Sequence, residues 1–262
     1  MDPAPVVAGL FGSLYGSFLN VVIHRLPREE SVVSPRSRCP HCGKPICWRD
    51  NLPVLSWLLL RGKGRCCRKP ILVLYPLVEA ATALLAGGLW LKWGGTHVFA
   101  VGSILACGIL IAVALIDWDT FLIPDELSIG LALAGLLFSP FNPYFDAGLF
   151  GAWWLAPWWS VRGAVIGFAL GWAVAAAGEM IFKKEAFGGG DVKLLAGIGA
   201  WMGITGAFDA LMLGSLIGSV YGLALLRAGK ARRFDAIPFG PFLAAGAAFS
   251  FFKLLPIGWP LN

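Results

Sequence analysis

The sequence predicts an all-α fold, a polytopic membrane helix bundle of about eight transmembrane helices with a small cysteine-containing loop domain. Of 262 residues, 58% are hydrophobic and 14% are charged, whereas soluble domains carry about 25% charged residues. The mean hydropathy of +0.74 agrees with this imbalance. Residues 98–116 contain no charge, and about 20 apolar residues are enough to cross a bilayer.

The apolar stretches set the predicted spans and the division of the chain. The first lacks a basic segment before it and a small-residue cleavage site after it, so we expect a retained helix rather than a signal peptide. Residues 1–23 are predicted as the first transmembrane helix, 24–71 as a loop domain and 72–262 as a transmembrane domain. The predicted spans lie at about 4–23, 72–91, 97–116, 127–140, 160–182, 192–206, 208–226 and 236–256.

The basic residues predict the topology. The loops after odd-numbered spans, together with Lys193, hold 18 of the 21 Lys and Arg residues. Cytoplasmic loops carry the basic excess, so these loops are expected in the cytoplasm and both termini outside. The net charge of +6 is therefore interpreted as a topology signal with some attraction to anionic lipid, and no nucleic-acid partner is predicted.

Two carboxylates stand at matching membrane depths. Asp117 closes one apolar run, and Asp191 opens another directly after Gly188, Gly189 and Gly190. Two carboxylates held close in a partly dry site cannot both ionise easily, so one keeps its proton while the other activates water. The glycines are expected to permit unusual backbone angles and close approach of a peptide. The alternative is structural, since an Asp at a helix N-terminus also meets the dipole favourably.

Four stretches resemble one family, the type IV prepilin peptidases. "AFGGGDVKLLAGIGAWMG" resembles its GxGD signature, and "LIDWDTFLIPDELS" resembles its first aspartate motif. "GSFLNVVIHRLP" and "DNLPVLSWLLLRG…PILVLYPLVE" are also similar. The resemblance implies an intramembrane aspartic peptidase in 72–262 with Asp117 and Asp191 as catalytic residues. It places the remaining candidates in the active-site loops: Gly188, Gly189, Gly190, Lys193, Asp119 and Asp125.

The same resemblance implies the substrate and a second activity. Such enzymes remove the basic leader of prepilins and pseudopilins at the cytoplasmic face of the bacterial inner membrane. They then methylate the new N-terminus with S-adenosylmethionine, and loop 24–71 is associated with that step. No S-adenosylmethionine fold is recognisable, so the methyltransferase expectation rests on the resemblance alone.

The cysteines of loop 24–71 predict a metal site. Cys39 and Cys42 form a CxxC pair, which in a cytoplasmic loop favours a structural zinc ion over a disulfide. The family pattern has a second CxxC pair, but here Gly64 occupies its first position and Cys67 its second. The fourth ligand is left open between the neighbouring Cys66, Cys47, His41 and water. A reduced, metal-free loop is the alternative.

Two further charged residues attract attention. Glu79 lies inside a predicted span, where an ionised carboxylate costs about 2.5–3.5 kcal/mol at the helix centre. We therefore expect it to line the methyl-transfer cavity. Lys193, two positions after Asp191, is interpreted as a contact for lipid phosphate or, less favoured, for Asp191 itself.

The positions of these residues distinguish the alternative functions. A peptidase without methyltransferase activity is the near alternative, because the second CxxC pair is altered. A proton-coupled transporter is the alternative of another class, although its carboxylates would be expected to step through the bilayer. A membrane scaffold that docks partners through the zinc loop is a third. Serine hydrolase chemistry is disfavoured because none of the three His residues lies near a G-x-S-x-G sequence.

Overall fold

The computed structural model is predominantly helical in the residues it describes, which are 2–39, 41–145, 153–183, 187–230, 232 and 235–255. Besides the helices, these ranges contain two isolated antiparallel β-bridges, both in the loop before residue 72. The α-helices are α1 Ala4–Arg25, α2 Leu55–Leu59, α3 Leu74–Trp93, α4 His97–Thr120, α5 Asp125–Phe138, α6 Ala156–Phe182, α7 Gly189–Arg227 and α8 Gly240–Phe252.

The predicted all-α membrane class is confirmed, and the span assignment is refined. In the described ranges, α1, α3, α4, α6 and α7 are long and apolar enough to cross a membrane. Helices α5 and α8 have 14 and 13 residues, and at 1.5 Å per residue they cover only about 20 Å. The predicted spans 192–206 and 208–226 both fall within α7, a 39-residue helix interrupted at Gly203.

Side chains from neighbouring segments compensate for the interruption in α7. Gly203 has φ 66° and ψ −162°, a left-handed φ that favours glycine because it lacks a Cβ. A break removes main-chain donors from the preceding carbonyls, which cannot stay unpaired in hydrocarbon. Side chains replace them: Ser160 Oγ donates to the Ala200 carbonyl at 2.8 Å and Asn142 Nδ2 to the Trp201 carbonyl at 2.6 Å.

The chain divides into two compact units, Met1–Gly108 and Ile109–Asn262. In the first, α1 packs against α3 through small residues. A Cβ on Gly12 would lie 2.5 Å from Ala86 Cβ, and one on Gly16 would lie 2.1 Å from Thr82 Oγ1. Without side chains at these two positions the helix axes come close, which is how membrane helices gain packing contacts when lipid is as apolar as the protein.

Helix α7 is the centre of the second unit and packs against α5, α6 and α8. Its closest approach to α6 is at Gly163, where a Cβ would lie 2.1 Å from the Gly199 carbonyl oxygen. Polar contacts bring the starts of α5, α7 and α8 to one end of this unit, beside the end of α4. Both candidate catalytic aspartates lie at that end.

Candidate active site

Asp117 lies in the last turn of α4 and is only 5% exposed. The C-terminal end of a helix is its negative end, so a carboxylate there gains nothing from the helix dipole. The backbone N–H of Gly240 donates to Asp117 Oδ2 at 2.9 Å. Gly240 begins α8, so this hydrogen bond pairs a first-turn N–H of α8 and places the Asp117 carboxylate at the positive end of that helix.

Asp191 lies in the first turn of α7, where capping gives a partial reason for a buried carboxylate. Gly188 is the N-cap residue, and its N–H donates to Asp191 Oδ2 at 3.1 Å. The other oxygen, Oδ1, is buried and has no hydrogen-bond partner among the described residues. The structural alternative thus accounts for one carboxylate oxygen and leaves the second free for another group.

The two aspartates converge around Ile123. A Cβ on Gly190, next to Asp191, would lie 2.9 Å from Ile123 Cβ. A Cβ on Gly240, the donor to Asp117, would lie 3.1 Å from Ile123 Cδ1. The carboxylates of Asp117 and Asp191 are also close enough to interact electrostatically. The 74 sequence positions between them are therefore bridged by folding, as the matched membrane depth predicted.

An aromatic contact joins the two backbone donors. Phe187 precedes the donor Gly188, and Phe239 precedes the donor Gly240. The centroids of the two phenylalanine rings lie 5.4 Å apart, and the ring planes are tilted by 53°. Phe187 is buried and Phe239 half-buried. The contact ties the first turn of α7 to the first turn of α8, so it links the groups that orient Asp191 and Asp117.

One of the two expectations for the glycines beside Asp191 is wrong, and the close approach of a peptide stays a prediction. Gly188 has φ −72° and ψ 153°, while Gly189 and Gly190 belong to α7, and none has a left-handed φ. The expectation of unusual backbone angles is therefore wrong. Close approach explains Gly190, which packs against Ile123, whereas a Cβ on Gly189 would meet nothing within 4 Å.

The remaining active-site-loop candidates lie nearer the surface. Lys193 Nζ forms an ion pair with Asp125, at 2.7 and 2.8 Å to its two oxygens, and the side chains are 43% and 56% exposed. This pair joins the start of α7 to the start of α5, a partner that the sequence had not suggested for Lys193. Exposed pairs of this kind contribute about 0–1 kcal/mol. Asp119 is exposed on the final turn of α4.

Sequence reasoning missed Gly240, Ile123 and the Phe187–Phe239 contact. The stretch "IPFGP", residues 237–241, carries the same Phe-Gly dipeptide that precedes Asp191. A glycine at the first position of an apolar helix, followed by Pro, was a usable signal of close approach. Nothing in the local sequence indicated that its N–H would reach a residue 123 positions away.

A second cluster lies in the first unit and contains the four cysteines Cys39, Cys42, Cys66 and Cys67. Their sulfur atoms all lie within 4.8 Å of one another. Two separations are 3.7 Å, for Cys39–Cys67, and 3.2 Å, for Cys42–Cys66. Zinc–thiolate bonds of 2.3 Å in a tetrahedron place sulfur atoms about 3.8 Å apart. The donor set therefore fits a four-thiolate metal site.

The cysteines are held by two turns that repeat the same backbone pattern. Cys39 N–H donates to the Lys44 carbonyl and Gly64 N–H to the Lys69 carbonyl, both at 2.9 Å. The isolated bridges Arg38–Pro45 and Lys63–Pro70 close the two turns in the same way. Gly64 thus takes the place of the first cysteine, and Cys66, two residues later, brings the fourth sulfur.

The pKa values of two thiols in this cluster are shifted in opposite directions. Hydrogen bonding from the backbone at His41 lowers the pKa of Cys39 to about 6. Hydrogen bonding with the Cys42 sulfur raises the pKa of Cys66 to about 12. Cys39 is therefore the first of the two to become a thiolate, the form that binds metal. Cys47 is exposed and outside the group of four.

Glu79 has a defined partner in the first unit. It is 9% exposed in α3, and its Oε2 accepts the backbone N–H of Val54 at 2.7 Å. Val54 has φ 59°, a conformation that is strained for a β-branched residue. The hydrogen bond thus helps to hold a strained turn before α2. Its predicted place in a methyl-transfer cavity stays a prediction.

Known proteins match both parts of this architecture. The family model of the bacterial peptidase A24 N-terminal domain matches residues 10–93, and that of the type IV leader peptidase family matches residues 104–223. A prepilin leader peptidase/N-methyltransferase of Aeromonas hydrophila is 37% identical over 263 residues, covering 90% of this chain and 86% of the relative. The chain belongs to the type IV leader peptidase family. The predicted family is confirmed.

Further relatives in the leader peptidase family carry the same name. Prepilin leader peptidase/N-methyltransferases of Stutzerimonas stutzeri and Burkholderia pseudomallei (strain 1026b) are 39% and 35% identical. Their alignments cover 90% and 93% of this chain and 86% and 83% of the relatives. No solved structure matches the chain. Family membership and the apolar helices make it a multi-pass membrane enzyme.

The two clusters of residues lie in different family matches. Asp117, Asp191 and Ile123 lie in the range that matches the type IV leader peptidase family, whereas the four-cysteine group and Glu79 lie in the N-terminal match. Gly240 lies beyond residue 223, where the second match ends. The structure therefore adds a residue from outside the matched range to the candidate active site.

Proposed function

We propose that the chain cleaves the basic leader peptides of prepilins and pseudopilins with Asp117 and Asp191, and then N-methylates the new N-terminus. The observation that carries the peptidase part is the pairing of two buried carboxylates, each held through one oxygen by a glycine N–H, with Asp191 Oδ1 unpartnered among the described residues. The relatives named prepilin leader peptidase/N-methyltransferase support the substrate and the second activity.

The proposed chemistry is acid–base hydrolysis of a peptide bond. Water is held between the carboxylates, with Asp191 Oδ1, which has no partner among the described residues, as the acceptor. The ionised carboxylate takes a proton from the water while the water oxygen bonds to the scissile carbonyl carbon. The protonated carboxylic acid donates to the carbonyl oxygen. Collapse of the tetrahedral species then passes a proton to the leaving amine and frees the leader.

The backbone donors keep this geometry. Each carboxylate has one oxygen fixed by a glycine N–H, from Gly240 for Asp117 and from Gly188 for Asp191. The opposite oxygens remain available to water and substrate. Preorganisation of this kind lowers the activation barrier because the groups need not reorient during the reaction.

The proposed orientation places the site at the cytoplasmic face of the bacterial inner membrane, with both termini outside. The basic loops support it, since cytoplasmic loops carry the Lys and Arg excess. A leader held in the cytoplasm would reach the end of the second unit at which Asp117 and Asp191 lie. This arrangement also disfavours a proton-coupled transporter, in which carboxylates are expected along the membrane path.

We further propose that the four-cysteine group binds a structural Zn²⁺ ion through Cys39, Cys42, Cys66 and Cys67. The sulfur separations support this assignment. Zinc would supply the cross-link that holds the two repeated turns together, because a loop of this size has little hydrophobic core of its own.

The methyl donor for the proposed second activity is S-adenosylmethionine, which supplies an electrophilic methyl group. Glu79 is our candidate for the cavity that admits it, because it is a buried carboxylate within the N-terminal match. No further residue of the described chain is assigned to the donor. A peptidase without methyl transfer remains the alternative that experiment must separate.

The experiment is mass spectrometry of a prepilin-type peptide incubated with purified protein in micelles, with and without S-adenosylmethionine. Loss of the leader plus a gain of one methyl mass only with the methyl donor supports both activities. Loss of the leader without methylation supports the peptidase alone. An intact peptide, under conditions where a related peptidase cleaves it, contradicts the proposal.

A further inference from the structure

The short helix α2 presents an uncovered row of leucines. Leu52 lies in the non-helical segment before α2, and Leu55, Leu58 and Leu59 follow the i, i+3, i+4 spacing that places side chains on one helix face. They are 39%, 51%, 58% and 73% exposed. A contiguous apolar face of this kind on a polar loop marks a surface that contacts either another molecule or a membrane.

The other side of α2 is fixed against the beginning of α3. Trp57 Nε1 donates to the Ile71 carbonyl at 3.3 Å, and a Cβ on Gly62 would lie 3.0 Å from the Trp57 ring. The Ile71 N–H in turn donates to the Gly62 carbonyl at 2.7 Å. The leucine face is therefore directed away from the helix to which α2 is attached.

The contact between Val54 and Glu79 sets the depth of α2. Glu79 lies five residues after the start of the membrane-spanning helix Leu74–Trp93, which is about 7.5 Å along its axis at 1.5 Å per residue. The Val54 N–H reaches the Glu79 carboxylate at 2.7 Å. Side chains lean toward the N-terminal end of their helix, so this contact places the turn before α2 beside the first turns of the span.

The charges after α2 favour an anionic partner. Arg61, Lys63 and Arg68 follow it within the same loop, and all three are exposed. Loop 24–71 carries eleven Lys and Arg residues against three acidic residues. A basic peptide would be repelled by this surface, whereas the anionic headgroups of a cytoplasmic leaflet attract it.

We propose that residues 52–63 form an interfacial anchor, in which the leucine face lies at the headgroup–acyl boundary and Arg61 and Lys63 bind anionic phospholipid headgroups. Amphipathic helices with an apolar face and neighbouring basic residues bind at this depth. The anchor holds the loop with the four-cysteine group against the membrane surface. The inference rests on α3 being a membrane span and is independent of the proposed catalytic roles.

The test uses the full chain in nanodiscs, with the photo-crosslinking residue benzoylphenylalanine in place of Leu59. The matched control carries it in place of Lys44, an exposed residue of the first cysteine turn. The discs contain phosphatidylcholine alone or with phosphatidylglycerol. Mass spectrometry of the crosslinked peptides then identifies the partner at each position.

We expect lipid adducts at position 59 and few at position 44, with more at 59 when phosphatidylglycerol is present. Each basic side chain near an anionic leaflet strengthens attraction by about fivefold, so Arg61→Gln with Lys63→Gln should remove most of the phosphatidylglycerol effect. Protein adducts at 59, equal lipid adducts at 59 and 44, or no adduct at 59 would each overturn the anchor. An unchanged yield on adding phosphatidylglycerol would overturn its headgroup contacts.

Discussion

Replacement of Gly240 by Ala tests how tightly Asp117 is held. The added Cβ would lie 2.7 Å from Asp117 Oδ2 and 3.1 Å from its Cγ. Ordinary contact begins at 3.4 Å, so the carboxylate or the start of α8 must move by about 0.7 Å. Either movement weakens the hydrogen bond from the Gly240 N–H, and a displacement of about 1 Å in an active site costs about 100-fold in rate.

We therefore expect Gly240→Ala to lower kcat for leader cleavage by about 100-fold with little change in KM. The assay is a time course of leader loss from a prepilin-type peptide, followed by mass spectrometry at several substrate concentrations. Gly130→Ala in α5 is the control, because a Cβ there would meet nothing within 4 Å. It should cleave at the wild-type rate.

Folding must be separated from catalysis in this comparison. Gly240 does not have a left-handed φ, but it is helical and precedes Pro241, where a Cβ is disfavoured. We therefore expect a lower thermal melting temperature than for Gly130→Ala, and cleavage is compared at a temperature at which both variants are folded. A folded Gly240→Ala enzyme with kcat within twofold of wild type would refute the conclusion that this N–H orients Asp117.

Three further predictions follow from other contacts. Cys66→Ser should lower zinc content measured by mass spectrometry of metals, whereas Cys47→Ser should not; equal content in both would exclude Cys66 as a ligand. Gly190→Ala should reduce cleavage at least tenfold because its Cβ would lie 2.9 Å from Ile123 Cβ, while Gly189→Ala should stay near wild type; equal rates would refute this packing. Lys193→Met should destabilise by no more than about 1 kcal/mol in thermal unfolding, and a larger loss would mean that the exposed ion pair with Asp125 does more than join two helix ends.

The sequence predicted the membrane class because hydropathy acts on every helix-length window. It predicted that Asp117 and Asp191 lie close together because both lie at an end of an apolar run, at a similar depth in the membrane, although they are far apart in sequence. It could not locate the break at Gly203, since the carbonyls freed by that break are paired by Ser160 of α6 and by Asn142, which lies between α5 and α6. Such packing is not encoded in any local pattern.

The site shows the same division between local and distant signals. The cysteine spacing in "CPHCG" indicated one turn of the four-cysteine group, but the fourth ligand of the predicted metal site stayed open because Cys66 departs from the paired spacing. Only the fold brings its sulfur within 4.8 Å of the other three. Gly240 was missed because its contact with Asp117 depends on how α8 begins beside the end of α4.

The measurement that tests the central claim most directly is leader cleavage by Asp117→Asn and Asp191→Asn enzymes, each compared with Asp119→Asn. Asn has nearly the same shape as Asp but cannot exchange a proton with water at neutral pH, so insertion into the membrane should be unaffected. The account predicts no detectable cleavage by the first two variants and near wild-type cleavage by Asp119→Asn, whose side chain is exposed. Substantial cleavage by either Asp117→Asn or Asp191→Asn would contradict it.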